Sequence, residues 1–249
     1  MNPVAYVLML VVVFFTTYFA VRKGASPSVV LSAAFIVIVV LLAFVFRRLR
    51  RANAASIEGI AFMNQGRFME ALTSFERGQA ISPRSHLFPF NRGVVLVSLW
   101  RVAEADTAFA KAASMKVANL GFNLERMVVP QRALVAALQG KLDEARTHIA
   151  RAEQLALTRS AHLTIANAII ALREGDAAKA RALLAGYEVK MLGGPMRGLA
   201  DALSAWCVDQ LTGERRPIDK VALFGESGPE GLRSVWPEVI TFVERAPEV

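Results

Sequence analysis

At 249 residues with 54% of them apolar, the chain carries more apolar side chains than the core of a soluble domain this size uses. Its formal charge of +8 is concentrated: residues 1–51 hold Arg22, Lys23, Arg47, Arg48, Arg50 and Arg51 and no acid, while the other 23 basic and 21 acidic residues nearly cancel. That distribution argues against a nucleic-acid binder, which needs a basic stripe on its folded domain, and the single cysteine, Cys207, excludes an intramolecular disulfide framework.

Two uncharged runs of 18 residues, Val4 to Val21 and Val29 to Phe46, account for the apolar surplus. Each is just long enough to cross a bilayer, which takes about 17 to 25 mostly apolar residues. Between them Arg22 to Ser28, with Gly24 and Pro27, reads as a short turn. A cleaved secretory leader is the competing reading of the first run, but no basic residue precedes it and a second apolar run follows at once. The expectation is a retained two-helix transmembrane hairpin with a basic flank over 1–51, in a bacterial-type inner (plasma) membrane.

A hairpin puts both ends of the chain on one side. Arg47, Arg48, Arg50 and Arg51 follow the second run, against two basic residues in the turn, so the positive-inside tendency assigns the C-terminal part to the cytoplasm. The same four arginines suit anionic headgroups, at about 1 kcal/mol each. Neither Pro nor Gly occurs between Val29 and Ile57. A single helix can therefore run on from the membrane, and a break near Asn53 is the alternative.

Beyond that point one helical hairpin occurs twice at an offset of 34 residues: Gly59 recurs as Gly93, Phe62 as Leu96, Ala71 as Ala105, Phe75 as Phe109 and Gly78 as Ala112. Small residues let two helices approach, and the large ones fill the space between them. The first copy predicts helices Ala54 to Asn64 and Phe68 to Ile81 around Gly66, closed by Ser82 and Pro83. The second predicts Pro89 to Leu99 and Val102 to Ser114, with Trp100 where the turn glycine would stand. A period of 34 residues with helix-turn-helix content resembles the tetratricopeptide repeat family, and Pro83 falls where that repeat ends its second helix. The resemblance implies an all-α solenoid of antiparallel helix pairs.

Ala105 to Ala145 is 40 residues, so about six are inserted between Met115 and Arg126, as a surface loop. The third hairpin reads as Gln131 to Leu138 and Leu142 to Leu155 around Gly140. The fourth follows 35 residues later, His162 to Leu172 and Ala177 to Leu184 around Gly175, with Asp176 capping its second helix. About four repeats over 52–192 are expected. In 193–249 a helix from Met196 to Leu211 reads as the cap a solenoid needs for solubility. The tail after Arg215 is broken by prolines and glycines but too apolar to stay disordered. Its segment Val221 to Phe242 should fold back, either on the cap around Trp206, which closeness in sequence favours, or near Phe90 and Val94; Pro237 should open a last helix to Arg245.

His86, His148 and His162 lack ligand-spaced partners, Cys207 has no general base nearby in sequence, and Gly193, Gly194 and Gly198 follow a helix and not a strand, as a phosphate cradle would not. No catalytic, cofactor or metal site and no small-molecule substrate is expected. The family resemblance implies instead a concave groove, lined by the first helix of each hairpin, that binds a protein or peptide. Its positions here are Ile60, Met63, Asn64, Phe90, Asn91, Val94, Val97, Leu134, Ile165 and Ile169. Inter-helix core is the competing reading of each, since these helices are apolar on more than one face. The family's chaperone-tail clamp is not matched: Ser56, Ile60, Met127 and Gln131 stand at clamp positions, and only Asn91 agrees. The expected function is a membrane-anchored scaffold for a partner protein. The alternative is a structural subunit of a larger membrane assembly, of secretion, envelope-biogenesis or motility type, packed through Ser32, Ala33 and Ala34.

Overall fold

An uninterrupted helix-forming sequence decides the first element. α1 covers Pro27–Asn64, and Asn53, the alternative break, falls inside it. The structure is a computed structural model that describes residues 15, 16, 18, 22–24, 26–115, 124–157 and 160–248. The first expected span, Val4 to Val21, lies almost wholly outside these residues, and so does most of the expected insertion, 116–123. Among the described residues α1 alone is long and apolar enough to cross a membrane, and none of its apolar stretch is buried. The described residues therefore contain one membrane-length helix, and the first helix of the expected hairpin lies outside them. Its 38 residues extend about 57 Å at 1.5 Å per residue, nearly twice the hydrocarbon thickness. Phe35, Val40, Leu42 and Phe46 each expose more than half their surface.

The chain divides into two units, 1–53 and 54–249. The second opens with the last turns of α1 and continues as helix pairs. These last turns pair with α2 (Phe68–Ile81), α3 (Leu87–Ser98) with α4 (Val102–Ser114), α5 (Leu124–Leu138) with α6 (Leu142–Gln154), and α7 (Ala161–Arg173) with α8 (Ala177–Leu184). Each pair packs on the next through α2 and α3, α4 and α5, and α5 and α7. This is the repeated helix pairing that the tetratricopeptide resemblance implies.

Two devices make the repeat. The first is the turn. In each pair one amide closes three residues back and the next closes five back: Gly66 N on Met63 O at 3.0 Å with Arg67 N on Phe62 O at 2.9 Å, then Gly140 on Ala137 with Lys141 on Ala136, and Gly175 on Leu172 with Asp176 on Ala171. Such closure needs a left-handed residue, and these glycines have φ of 75°, 73° and 83°. Trp100 makes the same pair of bonds, 3.0 Å to Val97 O with Arg101 to Leu96 O at 2.9 Å, at φ 55°.

The second device is size matching. A Cβ on Gly59 would lie 2.5 Å from Phe75 Cε1, and one on Gly93 would lie 2.6 Å from Phe109 Cε1. The equivalent positions of the later pairs hold Ala133 with Ile149 and Ala168 with Leu184. Where the small residue gains a methyl, the large one loses its ring. That keeps the volume between the helices nearly constant, as dense packing requires.

The predicted start of the third pair needs correcting. Gln131 lies well inside α5, which begins at Leu124 and carries Pro130 in its interior. The proline loses its bond to the Arg126 carbonyl and costs about 3 kcal/mol. Burial of Leu124, Val128 and Val129 in the added turns, about 1.5 to 3 kcal/mol each, outweighs it. Apart from the expected start at Ala54, which α1 runs through, the other helix ends fall within a residue or two of expectation, inside the ordinary ambiguity of helix termini.

After the pairs come α9 (Tyr187–Lys190), α10 (Gly194–Thr212), α11 (Lys220–Phe224), a 3₁₀ turn (Gly225–Ser227), α12 (Glu230–Val235) and α13 (Pro237–Arg245). Pro237 opens the last helix as expected. α10 packs on α8 and also touches α7 and α3, so it reaches back beyond the last repeat. α11 lies against α10 at backbone distance, where a Cβ on Gly198 would be 2.6 Å from the Leu223 backbone. The chain closes with Ile218 N donating to Pro247 O at 2.9 Å.

Candidate functional site

The first helices of the pairs carry the expected groove positions, and burial sorts them into two sets. Ile60 and Asn64 are exposed, and Met63, Asn91 and Val94 are half-buried. Phe90, Val97, Leu134, Ile165 and Ile169 are buried and offer no side-chain surface. Phe90 is packed at 5.8 Å from the Phe109 ring. α10 lies against α3 and α7, first helices of the second and fourth pairs, while Leu134 on α5 is buried although α5 is not among the helices α10 packs on. Apolar residues on more than one face of a helix cannot be told apart by periodicity, so the sequence could not separate the two sets.

The tail packs on the cap, as its closeness in sequence favours. The Trp206 ring meets Trp236 edge-on at 5.6 Å and stacks on Phe242 at 6.0 Å. It also reaches the turns of the repeats. Trp100 Nε1 donates to Leu223 O, a Cβ on Gly231 would lie 2.7 Å from Trp100 Cβ, and Met69 N donates to Glu226 Oε2 at 3.1 Å. Arg173 donates to the carbonyls of Leu138 at 2.8 Å and Val235 at 3.2 Å while its guanidinium lies 4.5 Å from the Trp236 ring centre.

Two surface cavities lie between successive pairs, and they occupy equivalent places. The first, about 440 Å³, lies between α4, α5 and α6; it is floored by Leu124, Val128 and Val129 and rimmed by Arg132, His148 and Arg151. Its charges are closed internally. Arg151 Nε donates to Glu125 Oε1 at 2.6 Å, which holds the Glu125 carboxyl below its ordinary value, and Arg132 donates to Glu144 at 3.2 Å. Burial first, and then the nearby Arg132 charge, lower the His148 pKa.

The second cavity, about 370 Å³, lies between α6, α7 and α8. Ile149, Leu163 and Leu183 make its walls, and Glu153 and Glu188 stand on its rim. No sequence motif flags either cavity. The available signal is the 35-residue offset, which carries Arg132, His148 and Arg151 onto Asn167, Leu183 and Gly186.

The groups tested for chemistry stand apart. His162 is lowered by burial, with Nε2 3.4 Å from Gln131 Nε2, and burial pushes the Cys207 thiol up to about 11. A thiol so raised stays protonated at neutral pH. Among the described residues no three His, Cys, Asp or Glu side chains are grouped so as to share a metal ion.

No family model matches the chain. No curated protein is similar to it in sequence. Among solved structures it is similar to PilW, described as a widely conserved type IV pilus biogenesis factor, at 16% identity and a TM-score of 0.48, over 95% of this chain and 98% of that one. It is also similar to PilF of Pseudomonas aeruginosa, at 15% identity and a TM-score of 0.45, over 79% of this chain and 89% of that one.

Proposed function

We propose that the chain is a membrane-anchored repeat scaffold that holds a partner protein at the cytoplasmic face of a bacterial inner membrane, with no catalysis of its own. The observation that carries the reading is α1. An apolar helical stretch with none of its surface buried is stable only in lipid or under another protein, and Arg47, Arg50 and Arg51, all exposed, follow it where headgroups would lie. Stacked helix pairs in the second unit support the binding half of the proposal, because such arrays present an extended surface and act by contact. The partner engages the expected positions that keep surface: Ile60, Met63 and Asn64 on the first pair, Asn91 and Val94 on the second.

The test is site-specific photo-crosslinking of the full chain in its own membrane. A photoreactive residue at Ile60 or Val94 should give one dominant protein adduct, and one at exposed Lys111 should not. Equal adducts at all three positions would remove the scaffold reading. A reporter active only in the periplasm, fused after Val249, should stay silent, and its activity would reverse the orientation. The unit 54–249 produced alone should still capture the adduct's protein; a requirement for α1 would favour a subunit that assembles through the membrane.

A further inference from the structure

We propose that residues 223–236 form a clasp that ties the first helix pair to the fourth, so that loosening either end of the clasp opens the first pair, and that Glu226 is its releasable end. Such a clasp lies within the unit 54–249 and holds whether or not the repeats bind a partner.

An array of stacked helix pairs is held by contacts between neighbours, so an end pair can open without the far end taking part. Residues 223–236 add ties that skip neighbours. At the first turn Met69 N donates to Glu226 Oε2 at 3.1 Å. At the second, Trp100 Nε1 donates to Leu223 O at 2.9 Å, and a Cβ on Gly231 would lie 2.8 Å from Trp100 O. At the fourth pair Arg173, the last residue of α7, donates to Val235 O at 3.2 Å and to Leu138 O of the third pair at 2.8 Å. One side chain thus joins the clasp to both of these pairs.

The two ends of the clasp are held differently. Leu223, Leu232 and Trp236 are buried, and the Arg173 guanidinium lies 4.5 Å from the Trp236 ring centre. Glu226 is exposed, in a 3₁₀ turn that buries none of its residues and is bracketed by Gly225 at φ 52° and Gly228 at φ 65°. Its carboxylate supplies what α2 lacks. Arg67, which precedes α2, makes no capping bond with its side chain, whereas Asp176 caps α8. Met69 N is one of the four leading amides that have no carbonyl partner inside a helix, and the helix dipole favours a carboxylate there. The first pair therefore takes its cap from a residue 157 positions later. Loss of that one bond frees the first pair, while the buried end stays on the second and fourth.

Hydrogen exchange of the full chain in neutral detergent, read by mass spectrometry, tests the clasp at the amides of Leu72 to Phe75 in the middle of α2 and of Ile165 to Ile169 in the middle of α7. Glu226→Ala should speed exchange in α2 about ten-fold and leave α7 at the wild-type rate. Arg173→Gln loosens the far end of the clasp and should also speed exchange in α2. Ala180→Gly changes the same pair on α8, which packs on α7 and α10, and should leave α2 as it is. Wild-type exchange in α2 of either Glu226→Ala or Arg173→Gln overturns the proposal. Acceleration of α2 by Ala180→Gly as large as that by Arg173→Gln also overturns it, because a general loss of stability would then account for both. Equal acceleration of α2 and α7 in Glu226→Ala overturns it for the same reason.

Discussion

The indole nitrogen of Trp100 donates to the main-chain carbonyl of Leu223 at 2.9 Å, joining the turn of the second helix pair to the tail 123 residues later. The residue that departs from the repeat's glycine rule is therefore the residue that docks the C-terminal segment. A non-glycine left-handed residue is disfavoured by roughly 1 to 2 kcal/mol, and burial of an indole only 1% exposed, worth about 3 to 5 kcal/mol, outweighs that.

Trp100→Gly restores the turn consensus and removes the ring. Loss of a buried aromatic costs about 3 to 5 kcal/mol, more than the backbone relief returns, so this variant should be destabilised. Trp100→Phe keeps most of the packing but strands the Leu223 carbonyl, at about 1 to 3 kcal/mol. Urea unfolding of both variants measures the difference, and a Trp100→Gly chain as stable as the wild type would show that the docked ring contributes nothing.

Gly59→Ala should cost about 1 to 3 kcal/mol by overpacking against Phe75. Phe75→Ile in the same chain recreates the pairing that the third repeat carries as Ala133 with Ile149. The double variant should be more stable than the sum of the single losses predicts. A double-mutant cycle checks this, and strict additivity would mean that the four repeats do not share one register.

Deleting 215–249 removes Trp236 and Phe242 from Trp206, and Leu223 from Trp100. The thermal midpoint of the full-length chain in detergent should fall. Arg173→Gln should reproduce part of that loss, since it gives up two charged hydrogen bonds of about 1.5 to 3 kcal/mol each and a cation–π contact of about 0.5 to 2 kcal/mol. An unchanged midpoint in both would mean that the tail is no part of the folded unit.

Burial lowers the pKa of both His148 and His162 below 6.5 in the fold. The unfolded chain takes up these protons first as pH falls, so it binds more of them below about pH 6.5. Stability from the two neutral imidazoles is complete above that pH and is lost as pH drops through their folded values. His148 faces Arg132, which adds to the effect, and Glu144 and Asp106, which oppose it. The midpoint should fall between about pH 7 and pH 5, and His162→Gln should flatten the fall. An identical slope in that variant would assign the dependence elsewhere.

The sequence by itself determined the elements that repeat. Gly59 with Phe75 and Gly93 with Phe109 are local pairs whose spacing reports a helix-turn-helix contact, and Asp176 caps α8 through Lys179 N at 2.9 Å as its position predicted. Pairing within a hairpin is short-range, and periodicity records it. What only the tertiary structure decided is long-range: which apolar positions of the first helices are buried and why Trp100 replaces a glycine. Those depend on segments far apart in the chain meeting in the folded unit. A residue such as Ile165 reads the same in sequence whether it is open to a partner or buried in the fold. Proline was also overruled, since the cost of Pro130 is local while the burial that outweighs it comes from the packed repeat.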